Sequence, residues 1–278
     1  MENFGFCDLN ISISPQQFNS KCIEELVSLG YKTVALNTLV YEEKNENTKK
    51  KKSKNKETIP PPQTTFGPEK VQGKLQILQR ITLYFSDANQ LQKLSRSENT
   101  KKYDIVSVLP KSFSAFQLAC ACKDVDLITF DASEYPLYMN RKTYNLAVAN
   151  GIYFEIPYAP AIEDSGKRKN TIQIAHAYHT YGKSKNIILS SGATGYLKLR
   201  SPYDIANLGI LFGLSEEQAK HSMLNTCRAL ILRAEGRRFG RTAMTMMITD
   251  LDLDSDGEPV AKRSKTTEDS DSEMSLTL

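Results

Sequence analysis

The 278-residue sequence predicts an α/β fold, a TIM-like (β/α) barrel of seven or eight strands, on three observations. Short runs rich in β-branched and aromatic residues recur along the chain, and most are followed by a helix signal. Several of these runs are apolar throughout, the pattern of parallel strands buried on both faces. The intervening helices announce themselves by capping residues at their starts. A doubly wound open sheet alternates in the same way, and periodicity does not separate it from a barrel.

The first strand is expected at Phe4–Asp8. Ser14-Pro15-Gln16-Gln17 then supplies an N-cap serine, a proline at the first helical position and a glutamine where a capping box needs one. That helix carries Phe18, Cys22, Leu26 and Leu29 on one stripe and stops at Gly30. Strands follow at Thr33–Asn37, Arg80–Phe85 and Ile105–Leu109. Ser114 with Gln117 reads as another capping box. Leu127–Phe130, Ile152–Ile156 and Asn186–Ser190 complete the strand set. Ser201-Pro202 opens a helix that turns Ile205, Leu208 and Phe212 inward before Gly213, and Ser215 with Gln218 opens the next almost at once.

Two segments depart from this rhythm. A lysine- and proline-rich stretch at about 42–72 has too little apolar surface to offset its ordering entropy, and is expected to be a flexible insertion between two strands. The tail 250–278 is acidic and rich in Ser and Thr, and is expected to be disordered, leaving 1–249 as the barrel. Charge is segregated accordingly: the net +4 of the chain divides into −6 for 250–278 and +10 for 1–249. A basic body with an acidic tail suits a polyanionic partner. Composition, at 40% hydrophobic and 24% charged, is that of a folded domain. No apolar run approaches the ~18 residues of a membrane span, so no membrane association is expected. Met1-Glu2-Asn3-Phe4 lacks the basic start and apolar stretch of a secretory signal. The five cysteines lie mostly in apolar stretches, without redox or zinc spacing, and are expected to be core-filling thiols in a reducing compartment.

In barrels of this kind the working groups sit where strands end. Those ends offer Asp8, Asn37, Asp87, Asp131 and Ser190-Ser191. Asp8, Asp87 and Asp131, with Glu155, would serve a metal-dependent phosphoesterase if they converged on Mg²⁺; the alternative is that the aspartates cap helices or start turns. His176 and His179 point away from the Ile174, Tyr178 and Tyr181 stripe, and His221 lies on a polar helix face, so none is placed for catalysis. Gly192-Ala193-Thr194-Gly195 follows a strand and offers amides to a phosphate. The basic residues say more. Lys198, Arg200, Arg228, Arg233, Arg237, Arg238 and Arg241 gather in the last stretch before the tail, and the arginine fork suits phosphate oxygens. Tyr196 and Tyr203 lie among them and are able to stack on bases or sugars. Lys49, Lys50, Lys51, Lys52 and Lys54 form a candidate nuclear-import tract or RNA-binding arm, and Ala261-Lys262-Arg263-Ser264-Lys265 is a weaker second one. The acidic run Glu268–Glu273 is a candidate for phosphorylation.

Leu197-Lys198-Leu199-Arg200-Ser201-Pro202-Tyr203-Asp204-Ile205-Ala206-Asn207-Leu208-Gly209, continued by Gly213-Leu214-Ser215 and Ala219, resembles the signature of the thirty-kilodalton protein subunit family of nuclear ribonuclease P. Leu29-Gly30-Tyr31, Val34-Ala35-Leu36-Asn37, Tyr103-Asp104-Ile105-Val106, Asp124-Val125-Asp126-Leu127 and Tyr158-Ala159-Pro160-Ala161-Ile162 extend the resemblance over roughly 1–240.

The resemblance implies a barrel subunit of the ribonucleoprotein that removes the 5′ leader of precursor tRNA, shared with ribonuclease MRP in rRNA processing. It implies no catalytic residue and no cofactor in this chain, Mg²⁺ being expected on the catalytic RNA subunit. The implied partners are that RNA, precursor tRNA and other ribonuclease P/MRP proteins, especially a small ferredoxin-like RNA-binding subunit. The implied residence is the nucleus and nucleolus. The fold is also similar to metal-dependent phosphoesterases whose first strand ends in His-x-His. Here Asp8-Leu9-Asn10 stands in that place.

Overall fold

Seven strands, β1 (Phe6–Ile11), β2 (Tyr31–Val40), β3 (Gln76–Phe85), β4 (Ile105–Pro110), β5 (Leu127–Ile128), β6 (Tyr153–Pro157) and β7 (Ile187–Ser190), form one sheet whose spatial order is the chain order. Every neighbouring pair is parallel. The sheet rolls until β7 meets β1. Closure is made just above the strands, where Ser12 N donates to Ala193 O and Gly192 N to Asn10 O, both at 2.9 Å. The fold is therefore the barrel expected, with seven strands, and not an open sheet. This computed structural model describes residues 5–13, 18–41, 59–62, 75–134 and 139–240, all within one unit spanning Glu2–Ala243.

Helices cover the outside because each has one apolar stripe to bury. α1 (Ser20–Ser28) packs Cys22 and Leu26 inward and is capped by Asn19, whose Oδ1 accepts from Cys22 N at 3.2 Å. The expected cap at Ser14 lies outside the described residues. α2 (Ala88–Arg96) follows β3, and α3 (Phe113–Ala121) follows β4. The cap of α3 is Ser112, which accepts from Ala115 N at 3.2 Å, and not Ser114; two serines two residues apart both fit the pattern, and the extended backbone of Ser112 decides. α4 (Arg141–Ala149), α5 (Ala159–Glu163) and α6 (Ser165–Gly182) complete the β5 to β7 crossovers. α7 (Pro202–Leu211) starts at Ser201, and α8 (Glu216–His221) begins in the reciprocal Ser215–Gln218 box, with both bonds at 3.1 Å.

One helix does not lie on the outside. α9 (Asn225–Phe239) turns Cys227, Leu230 and Ile231 into the barrel, where they meet Cys7, Leu9, Ala35, Ile105, Leu127 and Ile188. It plugs the end at which the strands begin. Between β2 and β3, Ile59–Pro62 departs from the flexible insertion expected at about 42–72. Ile59 is buried in the outer core, Asn99 Nδ2 donates to Ile59 O at 2.9 Å, and the Tyr103 hydroxyl donates to Pro60 O at 3.1 Å. Composition missed this because one apolar side chain and two carbonyls suffice to dock a polar stretch. The lysine tract 49–54, Arg241 and the tail 250–278 lie outside the described residues.

Candidate functional site

The strand pleat divides β3 into two faces. Ile81, Leu83 and Phe85 enter the core beneath the helices, while Leu78 enters the inner one; Arg80 and Thr82 alternate with the former and face the axis. Arg80 is wholly buried, and it spends all five N–H donors inside the barrel. Nη1 donates to Leu9 O at 2.8 Å and Glu155 Oε1 at 2.6 Å, and Nη2 to Glu155 Oε2 at 2.6 Å and Ser107 Oγ at 3.0 Å. Nε donates to Thr82 Oγ1 at 3.2 Å. Ser190 Oγ also donates to Glu155, at 2.6 Å. Strands β1, β3, β4, β6 and β7 thus converge on one bidentate ion pair. Above it, the Thr82 hydroxyl donates to Asn37 Oδ1 and Asn37 Nδ2 to Asn10 Oδ1, both at 2.8 Å. The mouth that houses the reacting groups in barrel enzymes is filled here by a neutralised, hydrogen-bonded network.

The strand-end carboxylates do not come together. Glu155 is held by Arg80. Asp87 is exposed at the start of α2, and Asp131 accepts from Ser133 N at 2.8 Å in a turn. Asp8 faces away from the axis into the seam between β1 and β7, where its Oδ1 accepts from Ser191 N at 3.0 Å and Asn10 N at 3.2 Å. Among the described residues, no three His, Cys, Asp or Glu side chains are grouped to hold a metal ion. The convergence that a phosphoesterase reading requires is therefore missing.

Asp8 has its own consequence. Its Oδ2 is buried without a hydrogen-bond partner, and burial, reinforced by the charge of Glu155, raises its carboxyl from 3.8 to about 6 despite the Ser191 and Asn10 amides. The folded chain then holds this proton over a range where the unfolded chain has lost it, so stability falls as pH rises from about 4 to about 6. Asp8→Asn keeps an acceptor for Ser191 and removes the charge. It should stabilise the fold at neutral pH by about 1–3 kcal/mol and flatten that slope, as followed by denaturant unfolding from pH 4 to 7; an undiminished slope in the variant would show that Asp8 is not its source.

The candidate residues of the sequence divide into two groups. Lys198, Arg200 and Tyr203 lie on the segment that crosses the seam. Lys198 pairs with Glu163 and donates to Thr194 Oγ1 at 2.8 Å. The Arg200 guanidinium donates to Leu197 O at 2.9 Å and Leu199 O at 2.8 Å. The backbone of Arg200 is clamped by two buried tyrosines, since the Tyr31 hydroxyl donates to its carbonyl at 2.9 Å and its N–H donates to the Tyr158 hydroxyl at 3.1 Å. Tyr203 is 67% exposed and leans edge-on against Phe6 at 5.4 Å; Tyr196 is also exposed. The Gly192-Ala193 amides are directed inward, to Asn10 O and Ser191 Oγ, and serve barrel closure instead of a phosphate. Each histidine is exposed, as expected.

The second group sits on α9 at the opposite end, and the structure revises its reading. Arg233 Nη1 donates to Asp126 Oδ1 at 2.5 Å and Arg237 Nε to Asp126 Oδ2 at 2.9 Å, while Arg238 pairs with Asp104. Further bonds from Arg233 reach Lys123 O and Asn150 O, and from Arg237 they reach Tyr103 O and Asp104 O. These guanidiniums fasten α9 to the loops before β4, β5 and β6, which takes much of their hydrogen-bonding capacity from any ligand. Arg228 lies half-buried near the start of α9.

Sequence reasoning missed Arg80 as the partner of Glu155. The signal was present: a lone base in one strand read as fully buried and a lone acid in another require each other. Asp104 and Asp126 gave no such signal, because an aspartate just before a strand is ordinary turn chemistry.

The chain matches a family model described as RNase P subunit p30 over residues 5–239. It is 37% identical over 250 residues to the mouse ribonuclease P protein subunit p30, covering 87% of this chain and 91% of that one. It is 30% identical over 238 residues to the probable ribonuclease P protein subunit 3 of Schizosaccharomyces pombe, covering 84% and 95%. Among solved structures, a chain of archaeal ribonuclease P with mature tRNA superposes with a TM-score of 0.62 at 13% identity, covering 88% of this chain and 98% of that chain, a likeness of fold.

Proposed function

Because the chain belongs to the RNase P subunit p30 family, we propose that it is a non-catalytic protein component of the ribonuclease P ribonucleoprotein, which removes the 5′ leader of precursor tRNA. The observation that carries this reading is the sealed mouth: Arg80 and Glu155 occupy the barrel's usual reaction chamber, leaving a rigid body whose outer surface is the working part. The chain binds the catalytic RNA and neighbouring proteins, of which a small ferredoxin-like subunit is one, and takes part in ribonuclease MRP as well. Mg²⁺ acts on the RNA. The protein resides in the nucleus, concentrated in the nucleolus, with the lysine tract 49–54 serving import. Lys198, Arg200, Tyr203 and Arg228 remain the RNA-contact candidates from the sequence, and Arg241 stands with them.

Purification of the tagged full chain tests this. A large structured RNA and precursor-tRNA cleavage should co-purify, and nuclease digestion of that RNA should abolish cleavage. Cleavage that survives complete removal of RNA, or a preparation with no RNA in it, would overturn the reading.

A further inference from the structure

We infer that the chain grips an RNA backbone with the rim of the barrel at which the strands begin, the end opposite to the usual working face; this rests on the reading above that the chain binds RNA. The loops that precede strands all open at this end. They carry Lys32, Lys101, Lys102, Lys123, Lys183 and Lys185, all exposed, against the nearby acids Glu98 and Asp124. Only one of these lysines, Lys101, has a carboxylate partner among the described residues, Glu98. The α9 arginines matter here indirectly, because they neutralise Asp104 and Asp126 at the centre of the same face. The two acids that would repel a polyanion are thereby screened, and the peripheral lysines are left to act on it.

The turn between α6 and β7 supplies an independent reason. Lys183, Ser184 and Asn186 all have left-handed backbones, with φ of 52°, 56° and 54°, which side chains other than glycine adopt at a cost. Two of these residues have local work. Ser184 Oγ meets His179 Nδ1 at 3.1 Å, and Asn186 Nδ2 donates to Ile152 O at 3.1 Å. The Lys183 backbone closes α6, its N–H donating to His179 O at 2.8 Å in the position where glycine is the usual choice, while its side chain has no hydrogen-bond or ion-pair partner among the described residues. The left-handed cap thus serves the helix end, and the exposed ammonium it carries is left for a ligand outside the fold. A phosphate backbone is the ligand that fits exposed ammonium groups spread over several loops of one rim, since such contacts need charge more than a shaped pocket.

Binding of the full chain to a labelled transcript of the ribonuclease P catalytic RNA, measured by fluorescence anisotropy between about 50 and 200 mM salt, tests the assignment. Lys101→Glu/Lys102→Glu/Lys183→Glu/Lys185→Glu should weaken binding roughly tenfold or more and make the salt dependence shallower. Lys183→Gly should raise the melting temperature by about 2–4 °C while weakening binding, an opposition that a purely structural lysine would not produce. Arg141→Glu/Lys142→Glu/Lys169→Glu, at the other end of the barrel, should change affinity less than about twofold. Wild-type binding with undiminished affinity in both rim variants overturns the rim and leaves the RNA-binding reading intact. Failure of the wild-type chain to bind overturns both. Rim variants that keep RNA affinity but lose a co-purifying protein would assign the face to an acidic polypeptide, and the inference would fall.

Discussion

Glu155→Ala should cost about 3–5 kcal/mol of folding stability, one of the two largest losses expected of a single substitution in this barrel. Arg80 and Glu155 are each 0% exposed, so removal of the acid leaves a buried guanidinium without its carboxylate. Burial pushes the Glu155 carboxyl up, but the charge and hydrogen bonds of Arg80, with the Ser190 and Thr129 hydroxyls, outweigh it and hold the group below its ordinary 4.5. A carboxyl lowered in this way stabilises the fold above its unfolded value and loses that contribution as pH falls through the folded one. Acid unfolding should therefore steepen below about pH 4.5 in the wild type and less so in Glu155→Gln. The double change Arg80→Met/Glu155→Leu should be far milder than either single removal, because a matched apolar pair leaves no charge behind. Urea denaturation of the four proteins decides: additive losses would mean that the two side chains do not act as a unit.

Asp126→Ala should release α9 from the barrel at a cost of about 2–4 kcal/mol. Asp126 is fully buried and accepts from Arg233, Arg237 and the Val106 amide, the last at 2.9 Å. The arginines are 19% and 12% exposed, so water recovers part of the loss, which places the effect below that of Glu155. Cys227 reports the event, since it is buried on α9 against the barrel interior. Thiol labelling at Cys227 should accelerate in Asp126→Ala and remain slow in Arg238→Ala, whose ion pair with Asp104 is partly exposed and is worth about 1 kcal/mol or less. Equal labelling rates in the wild type and Asp126→Ala would show that the carboxylate does not hold the helix.

The strands were legible because parallel strands buried on both faces write themselves as apolar runs. All seven appear at the runs from Phe4–Asp8 through Asn186–Ser190, with no end shifted by more than about four residues. The site was less legible, for a physical reason. Arg233, Arg237 and Arg238 look the same in sequence whether they face phosphate or carboxylate, and only the fold brings Asp104 and Asp126 beneath them from more than a hundred residues away. The strand-end carboxylates show the reverse. Their spacing permits a metal site, and the pleat defeats it by pointing Asp8 into the seam and Glu155 at Arg80. The rim lysines escape pattern reading because they come singly or in pairs from separate loops.

The docking of Ile59 also bears on how the chain tolerates change. A parallel pair such as β2 and β3 needs a crossover, and crossovers commonly bury a helix on the sheet; here a single isoleucine, with the Pro60 carbonyl latched by Tyr103, makes the described contact. A fixed point within a long connection shortens the loops that folding must close, and the entropy of closing a loop grows only slowly with its length. Lengthening, shortening or rewriting the lysine tract should therefore cost the fold little, provided that the peg at position 59 survives.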